Sequence, residues 1–141
     1  MNHERAFVYI DSYFIDETIK IAKRSSLYKF KTGAMIVKDD EIVSRGWSHR
    51  SETIRHSYLT VHAELHAVMR GIREDIDGGT IYVVTMSRVG NITSARPCSE
   101  CARLLKDSGI TDVIYSHRDG FRHIDLNDKL QFKETRTAIC H

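Results

Sequence analysis

Residues 80–86, Thr-Ile-Tyr-Val-Val-Thr-Met, form an unbroken apolar and β-branched run. A half-exposed strand alternates polar and apolar side chains, so a continuous run of this length reads as a strand buried on both faces. Such a strand needs cover on both sides, and the neighbouring segments supply it. Residues 6–26 place Phe7, Ile10, Phe14, Ile15, Ile19 and Ile21-Ala22 at helical spacing, with Lys20, Lys23 and Arg24 suited to a helix C-terminus. Val61 to Arg73 repeats the pattern, with Leu65, Val68, Met69 and Ile72 on one side. Cys98 to Ser108 is a third helix, closed by Gly109.

The remaining runs are strand-sized. Lys31 to Val37 and Glu41 to Trp47 flank the polar turn Lys38-Asp39-Asp40, which predicts a hairpin. Gly46 to Thr60 and Ser87 to Arg96 read as loops, Asp112 to Ser116 as a strand, and Phe121 to Leu126 as a further strand after the turn His117-Arg118-Asp119-Gly120. The tail from Asn127 is weakly patterned. The order α-β-β-α-β-α-β-β describes an α/β fold, one sheet with helices on both faces.

At 141 residues the chain fits a single domain, residues 1–141, able to bury its own core. Its longest apolar stretches, such as Ala34-Met35-Ile36-Val37, are too short to span a membrane, so no membrane partner is expected. The N-terminus lacks a basic region followed by an apolar core, which predicts an intracellular, cytoplasmic protein. A net charge of +2 and pI near 8.5 fall short of a nucleic-acid binder's basicity, yet suit an anionic ligand. Three cysteines leave one over in any disulfide scheme, and a single Cys-x-x-Cys points to metal or redox chemistry.

Two short motifs carry the chemistry, His62-Ala63-Glu64 and Pro97-Cys98-Ser99-Glu100-Cys101. Residues two apart on a helix lie about 200° from each other, so His62 and Glu64 converge only on a point beyond the helix N-terminus. Cys98 and Cys101, three apart, share one face, and Pro97 favours a helix start there. Two helix N-termini thus aim at one site, where their positive ends are expected to stabilise thiolates and lower the thiol pKa. One imidazole and two thiolates give three protein donors. That count leaves a fourth position for water, which is the catalytic rather than the structural zinc arrangement. Glu64 is placed as the base that takes the water proton.

Neither motif is decisive alone. A lone His-x-Glu on a helix is more often structural, and a lone Cys-x-x-Cys serves redox pairs or half of a zinc ribbon. No second Cys-x-x-Cys completes a ribbon. Together, in this order and with a strand between them, the motifs resemble the signature of the cytidine deaminase superfamily. The resemblance covers residues 31–116. It implies a three-layer α/β/α fold with a mixed five-stranded sheet, and Zn2+ held by His62, Cys98 and Cys101. It also implies that Glu64 shuttles protons while a cytosine-type base becomes uracil and ammonia is released.

The resemblance also suggests substrate contacts. Thr32-Gly33-Ala34 matches a small-residue pocket wall, although Gly33 is equally readable as a strand glycine. Ala63 lies between the two motif residues and is assigned to the pocket. Gly46-Trp47-Ser48 stands where many relatives have an Asn after the aromatic residue, which makes Ser48 or His49 a candidate contact, or a plain turn. His66, one turn after His62, either meets substrate or is a satisfied helix histidine. Arg50, Arg55, Arg88 and Arg96 are loop cations able to take a phosphate or simply to be solvated. Tyr115 could edge the base, but core packing suits its ring better, and Cys140 reads as a bystander.

A small nucleoside or nucleotide is the expected substrate. Single-stranded nucleic acid would call for more loop aromatics than Trp47, Tyr58 and Phe121. Another heteroaromatic amine and an inactive zinc module are the further alternatives, the latter disfavoured by the presence of Glu64. The four-residue link 117–120 is too short for a crossover helix, so the last strand should return antiparallel. That resembles the free-nucleoside deaminases and tilts the reading toward a small substrate. The resemblance further implies a homo-oligomer.

Overall fold

The computed structural model describes residues 9–51 and 60–128. In chain order the elements are α1 (Tyr9–Ala22), β1 (Phe30–Lys38), β2 (Glu41–Trp47), β3 (His49–Arg50), β4 (Thr60–Val61), α2 (Ala63–Arg70) and the single turn α3 (Arg73–Ile76). There follow β5 (Thr80–Ser87), β6 (Ile92–Thr93), α4 (Ser99–Asp107), β7 (Asp112–His117) and β8 (Gly120–Asp125). The main sheet runs β2-β1-β5-β7-β8, with the short β6 paired to β5 inside the segment expected to be a loop. Likewise β3 pairs with β4 across the other expected loop. The calls on Arg55, Tyr58, Cys140 and residues 6–8 lie outside the described residues.

The central run behaves as its sequence demands. Six consecutive residues of β5, Ile81 to Met86, are buried. Ile81 and Val83 face a core shared with Ala63, Ala67, Ala102 and Leu105 of α2 and α4. On the opposite face Tyr82 packs with Phe14 and Ile15 of α1, and Val84 packs with Ala22. The result is three layers: α1, sheet, then α2 with α4. No helix among the described residues is long and apolar enough to cross a membrane.

Local chemistry sets the connections. Asp39 (φ 53°) and Asp40 (φ 62°) form the two-residue hairpin turn between β1 and β2. Two successive left-handed residues match the twist of the flanking strands, and Asp tolerates that region better than most side chains. β7 and β8 join through Arg118 and Asp119 and run antiparallel, as the short link requires. Between β5 and β7, α4 provides the crossover that a parallel pair needs.

The second helix differs from its sequence reading. It is eight residues long, with Val61 in β4 and Gly71 extended at its C-terminus. Its buried face is Ala63, Glu64 and Ala67, whereas Met69 and Ile72 are exposed. The larger apolar side chains do not choose the core face here because the helix lies too close to the sheet to admit them. At Gly46 of β2, a Cβ would sit 2.5 Å from the Ala63 carbonyl oxygen and closer still to the Ala67 nitrogen. Gly46→Ala should therefore destabilise the fold by about 1–3 kcal/mol, the usual range for overpacking. Urea unfolding would measure it; a loss below about 0.5 kcal/mol would show that α2 is free to move away.

Gly33 has the same role on the other face. A Cβ there would lie 2.7 Å from the Thr18 carbonyl oxygen, against α1. The expectation that Gly33 walls a substrate pocket is corrected accordingly: its open side meets α1, on the face of the sheet away from α2 and α4.

Candidate active site

β2 and β5 both run antiparallel to β1, so they end at the same rim of the sheet. The chain leaves β2 toward α2 and leaves β5 toward α4, so both helices begin at that rim. In open α/β sheets this is where ligands bind. His62 is the N-cap of α2 (φ −72°, ψ 147°) and Cys98 the N-cap of α4 (φ −69°, ψ 171°). Both backbones are extended, and neither side chain caps its helix. Helices favour Ser, Thr, Asp or Asn at that position for the capping bond. A His and a Cys that decline to cap keep their donor atoms for another use.

The His62 ring meets the second cysteine of the other motif. His62 Nδ1 lies 3.2 Å from Cys101 Sγ, although the residues are 39 apart in sequence. The Glu64 carboxyl receives a hydrogen bond from Cys101 and is fully buried. Burial pushes its pKa up to about 7, against which its own backbone N–H and Cys101 act. Glu64 Oε1 is buried with no hydrogen-bond partner among the described residues. An orphaned carboxyl oxygen at a helix N-terminus is costly unless a ligand completes it.

The expectation of a depressed thiol pKa is corrected for Cys101. Burial, then the charge and hydrogen bond of Glu64, then Glu100 push its thiol up. Removal from water is the largest of these effects at the buried sulfur. Cys98 is in a disulfide, whereas Cys101 is free and buried. A disulfide sulfur is no thiolate ligand, and among the described residues no set of three donors is assembled to hold a metal.

The residues nonetheless fit zinc once Cys98 is reduced. Zn–S and Zn–N bonds of about 2.3 and 2.0–2.1 Å at a tetrahedral angle set a sulfur and a nitrogen roughly 3.5 Å apart. The observed 3.2 Å is within a few tenths of that. A divalent cation would also oppose the burial that keeps Cys101 and Glu64 protonated.

The pattern of this rim is shared with known proteins. Residues 8–117 match the model of the cytidine and deoxycytidylate deaminase zinc-binding region. The chain belongs to this family. As a member it is a zinc-dependent deaminase. It is 28% identical over 130 residues to the deoxycytidylate deaminase of Mycobacterium phage D29, covering 74% of this chain and 92% of that one. It is 32% identical over 137 residues to the diaminohydroxyphosphoribosylamino-pyrimidine deaminase of Buchnera aphidicola, covering 92% and 81%. In fold it is similar to the dCMP deaminase of cyanophage S-TIM5 (TM-score 0.62, 20% identity, 78% of this chain and 84% of that one). The three-layer fold with an antiparallel last strand is thus established.

Of the other deaminase-site candidates, some reach the rim and some do not. Ser48 is wholly buried: its hydroxyl pairs with Ser25 Oγ at 2.8 Å and accepts from the Thr32 N–H at 3.0 Å. That corrects its reading as a substrate contact, because its hydrogen-bonding capacity ties the α1–β1 connection to β2. Ala63 contributes a fully buried methyl to the core, leaving only its backbone beside the site. Arg96, next to Pro97, donates to the Tyr115 hydroxyl at 3.0 Å and lies over that ring. Tyr115 itself is core. Arg50 is exposed on β3, and Arg88 donates to the Tyr28 hydroxyl at 2.8 Å. His49 and His66 come together, ring centroids 4.5 Å apart, in a cleft of about 680 Å3 beside α2. That cleft also holds Arg24, while Arg70 lies over the indole of Trp47 at its wall. The sequence reading had placed Arg24 as a helix-end charge and had not singled out Arg70. Their one sequence signal is a cation near the C-terminal end of each of the two helices.

Proposed function

We propose that this chain is a hydrolytic deaminase of a cytosine-type nucleotide, with His62, Cys98 and Cys101 as zinc ligands and Glu64 as the proton carrier. The observation that carries the reading is the buried, unpartnered Glu64 oxygen beside His62 and Cys101, where α2 and α4 begin. The similarity to deoxycytidylate deaminases favours cytosine as the base and a nucleotide as its form.

Bound zinc supplies a Lewis acid that makes water nucleophilic near neutral pH. Glu64 accepts one proton from the attacking water and gives it to ring N3 as the new C4–O bond forms. It then takes the hydroxyl proton and delivers it to the amine, so that the C4–N bond breaks with release of ammonia. Water and an aminopyrimidine are consumed, and uracil and ammonia are formed. Glu64 suits both directions because burial favours its acid form while a bound divalent cation would favour its base form, so neither is locked in.

A second reading, a phosphoribosylated diaminopyrimidine as substrate, is supported by the 32% identity to the Buchnera enzyme. Ammonia release from a panel of amines separates them. The panel comprises dCMP, CMP, deoxycytidine, a cytosine-containing single strand and the diaminopyrimidine ribotide. We expect kcat/KM to be highest for a cytosine monophosphate. Turnover confined to the ribotide would transfer the assignment to the second reading, and release from none of them would overturn both.

A further inference from the structure

The chain holds three cysteines, and their states differ. Cys101 is a free, buried thiol, hydrogen-bonded to Glu64, with its sulfur 3.2 Å from His62 Nδ1. Cys98, three residues earlier at the N-cap of α4, is in a disulfide. The common redox use of a Cys-x-x-Cys is a bond between its own two sulfurs. Here Cys101 stays a thiol, so Cys140 is the cysteine left to complete the bond that Cys98 makes.

The place of this disulfide gives it meaning. A structural disulfide stabilises mainly by constraining the unfolded chain, which asks for no particular site in the fold. This one consumes a sulfur that the rim holds ready for another use. Cys98 keeps an extended backbone at the start of α4, and its side chain does not cap the helix. The thiolate is the metal-binding form of cysteine, so one sulfur serves the metal or the disulfide and not both. With Cys98 oxidised, His62 and Cys101 remain, one donor short of the three that a catalytic zinc site takes from protein. Zinc and the disulfide are therefore linked reciprocally, each opposing the other by the same free energy.

We propose that Cys98 is a redox modification site, at which a disulfide with Cys140 takes the place of zinc and turns the enzyme off. The proposal rests on the reading of Cys98 as a zinc ligand. The oxidant is a small disulfide such as glutathione disulfide. One protein thiolate attacks a sulfur of the oxidant and releases one glutathione thiolate. The second protein thiolate then attacks the mixed disulfide and releases the other. Two protein thiols give up two electrons and two protons, and one oxidant molecule becomes two thiols. Excess thiol runs the exchange backward and returns Cys98 to the metal. Cys101 takes no part, because its thiol is engaged by Glu64 and lies against His62. Cys140, a bystander by its sequence context, becomes the resolving thiol.

The test uses the full-length chain, reduced, freed of zinc by chelation and then equilibrated in glutathione redox buffers with and without added zinc. Thiols are labelled under denaturing conditions and located by peptide mass mapping, and bound zinc is read by elemental analysis. We expect the oxidised chain to keep one labelled thiol, Cys101, to yield a Cys98–Cys140 cross-linked peptide, and to lose its zinc uptake. Dithiothreitol should restore both thiols and the zinc. Zinc present at about a hundred times its Kd should lower the ratio of disulfide to dithiol about a hundredfold. Cys140→Ser should take up zinc as the parent does, and should still do so in a buffer that oxidises the parent. Full zinc uptake by the oxidised parent, or a Cys98–Cys101 bond in place of the expected one, would overturn the switch while leaving the ligand reading intact. A fully reduced chain that took up no zinc would refute the ligand reading, and the switch with it.

Discussion

Glu64→Gln is expected to abolish nearly all ammonia release while zinc and the fold are retained. One group acting in general acid–base catalysis is worth about 10²–10⁴-fold, and Glu64 serves two successive transfers, so the upper end is the expectation. The amide keeps the shape of the carboxyl but can neither accept nor return a proton. The variant should also be no less stable. In metal-free protein the Glu64 carboxyl holds its proton up to about pH 7, whereas in the unfolded chain it ionises near 4.5. The folded state thus binds more protons in that window, so stability falls as pH rises through it. The Gln variant should lack this fall. Single-turnover assays and thermal melts at several pH values would measure both effects, and a variant retaining a tenth of parental kcat would remove Glu64 from its assigned role.

Loss of either thiol should produce the second large effect. Protein purified with a reductant should hold about one zinc per chain, and Cys101→Ala or Cys98→Ala should hold little. Reduction matters because Cys98 is otherwise engaged in a disulfide. Zinc at a thousand times its Kd stabilises a native state by about 4 kcal/mol. For a domain of this size its loss should lower Tm by roughly 10 °C or more. The reason is architectural: the donors stand at the starts of two different helices, so the metal ties α2 to α4. Elemental analysis and melting with and without chelator test this. A Cys101→Ala protein with full zinc content and unchanged Tm would refute the ligand assignment. So would iron in the place of zinc.

The order of elements was legible in the sequence because it rests on short-range periodicity. The run at Ile81 to Met86 announced a central strand, and the Asp39-Asp40 turn and the short Arg118-Asp119 link each left one geometry open. The meeting of His62, Glu64 and Cys101 was legible too, since helix geometry constrains residues at helix starts, whereas the expected set of three metal donors is not assembled among the described residues. The topology alone tilted the reading toward a small substrate without choosing between nucleoside and nucleotide; the similarity to deoxycytidylate deaminases favours the nucleotide.

What only the tertiary structure decided lies at close approaches between distant segments. Gly33 could be a pocket wall or a packing glycine until α1 was placed against it. Ser48 could face substrate until Ser25, 23 residues away, claimed its hydroxyl. The buried face of α2 went to alanines rather than to Met69 and Ile72 because Gly46 lets the helix backbone meet the strand. Arg24 and Arg70 were brought to the same Trp47 indole only by the packing of α1 and α2 around β2. Local spacing fixes which way a side chain leaves its own element. Which other element stands there to receive it is set by the packing of the whole core, and single-chain periodicity contains no record of that.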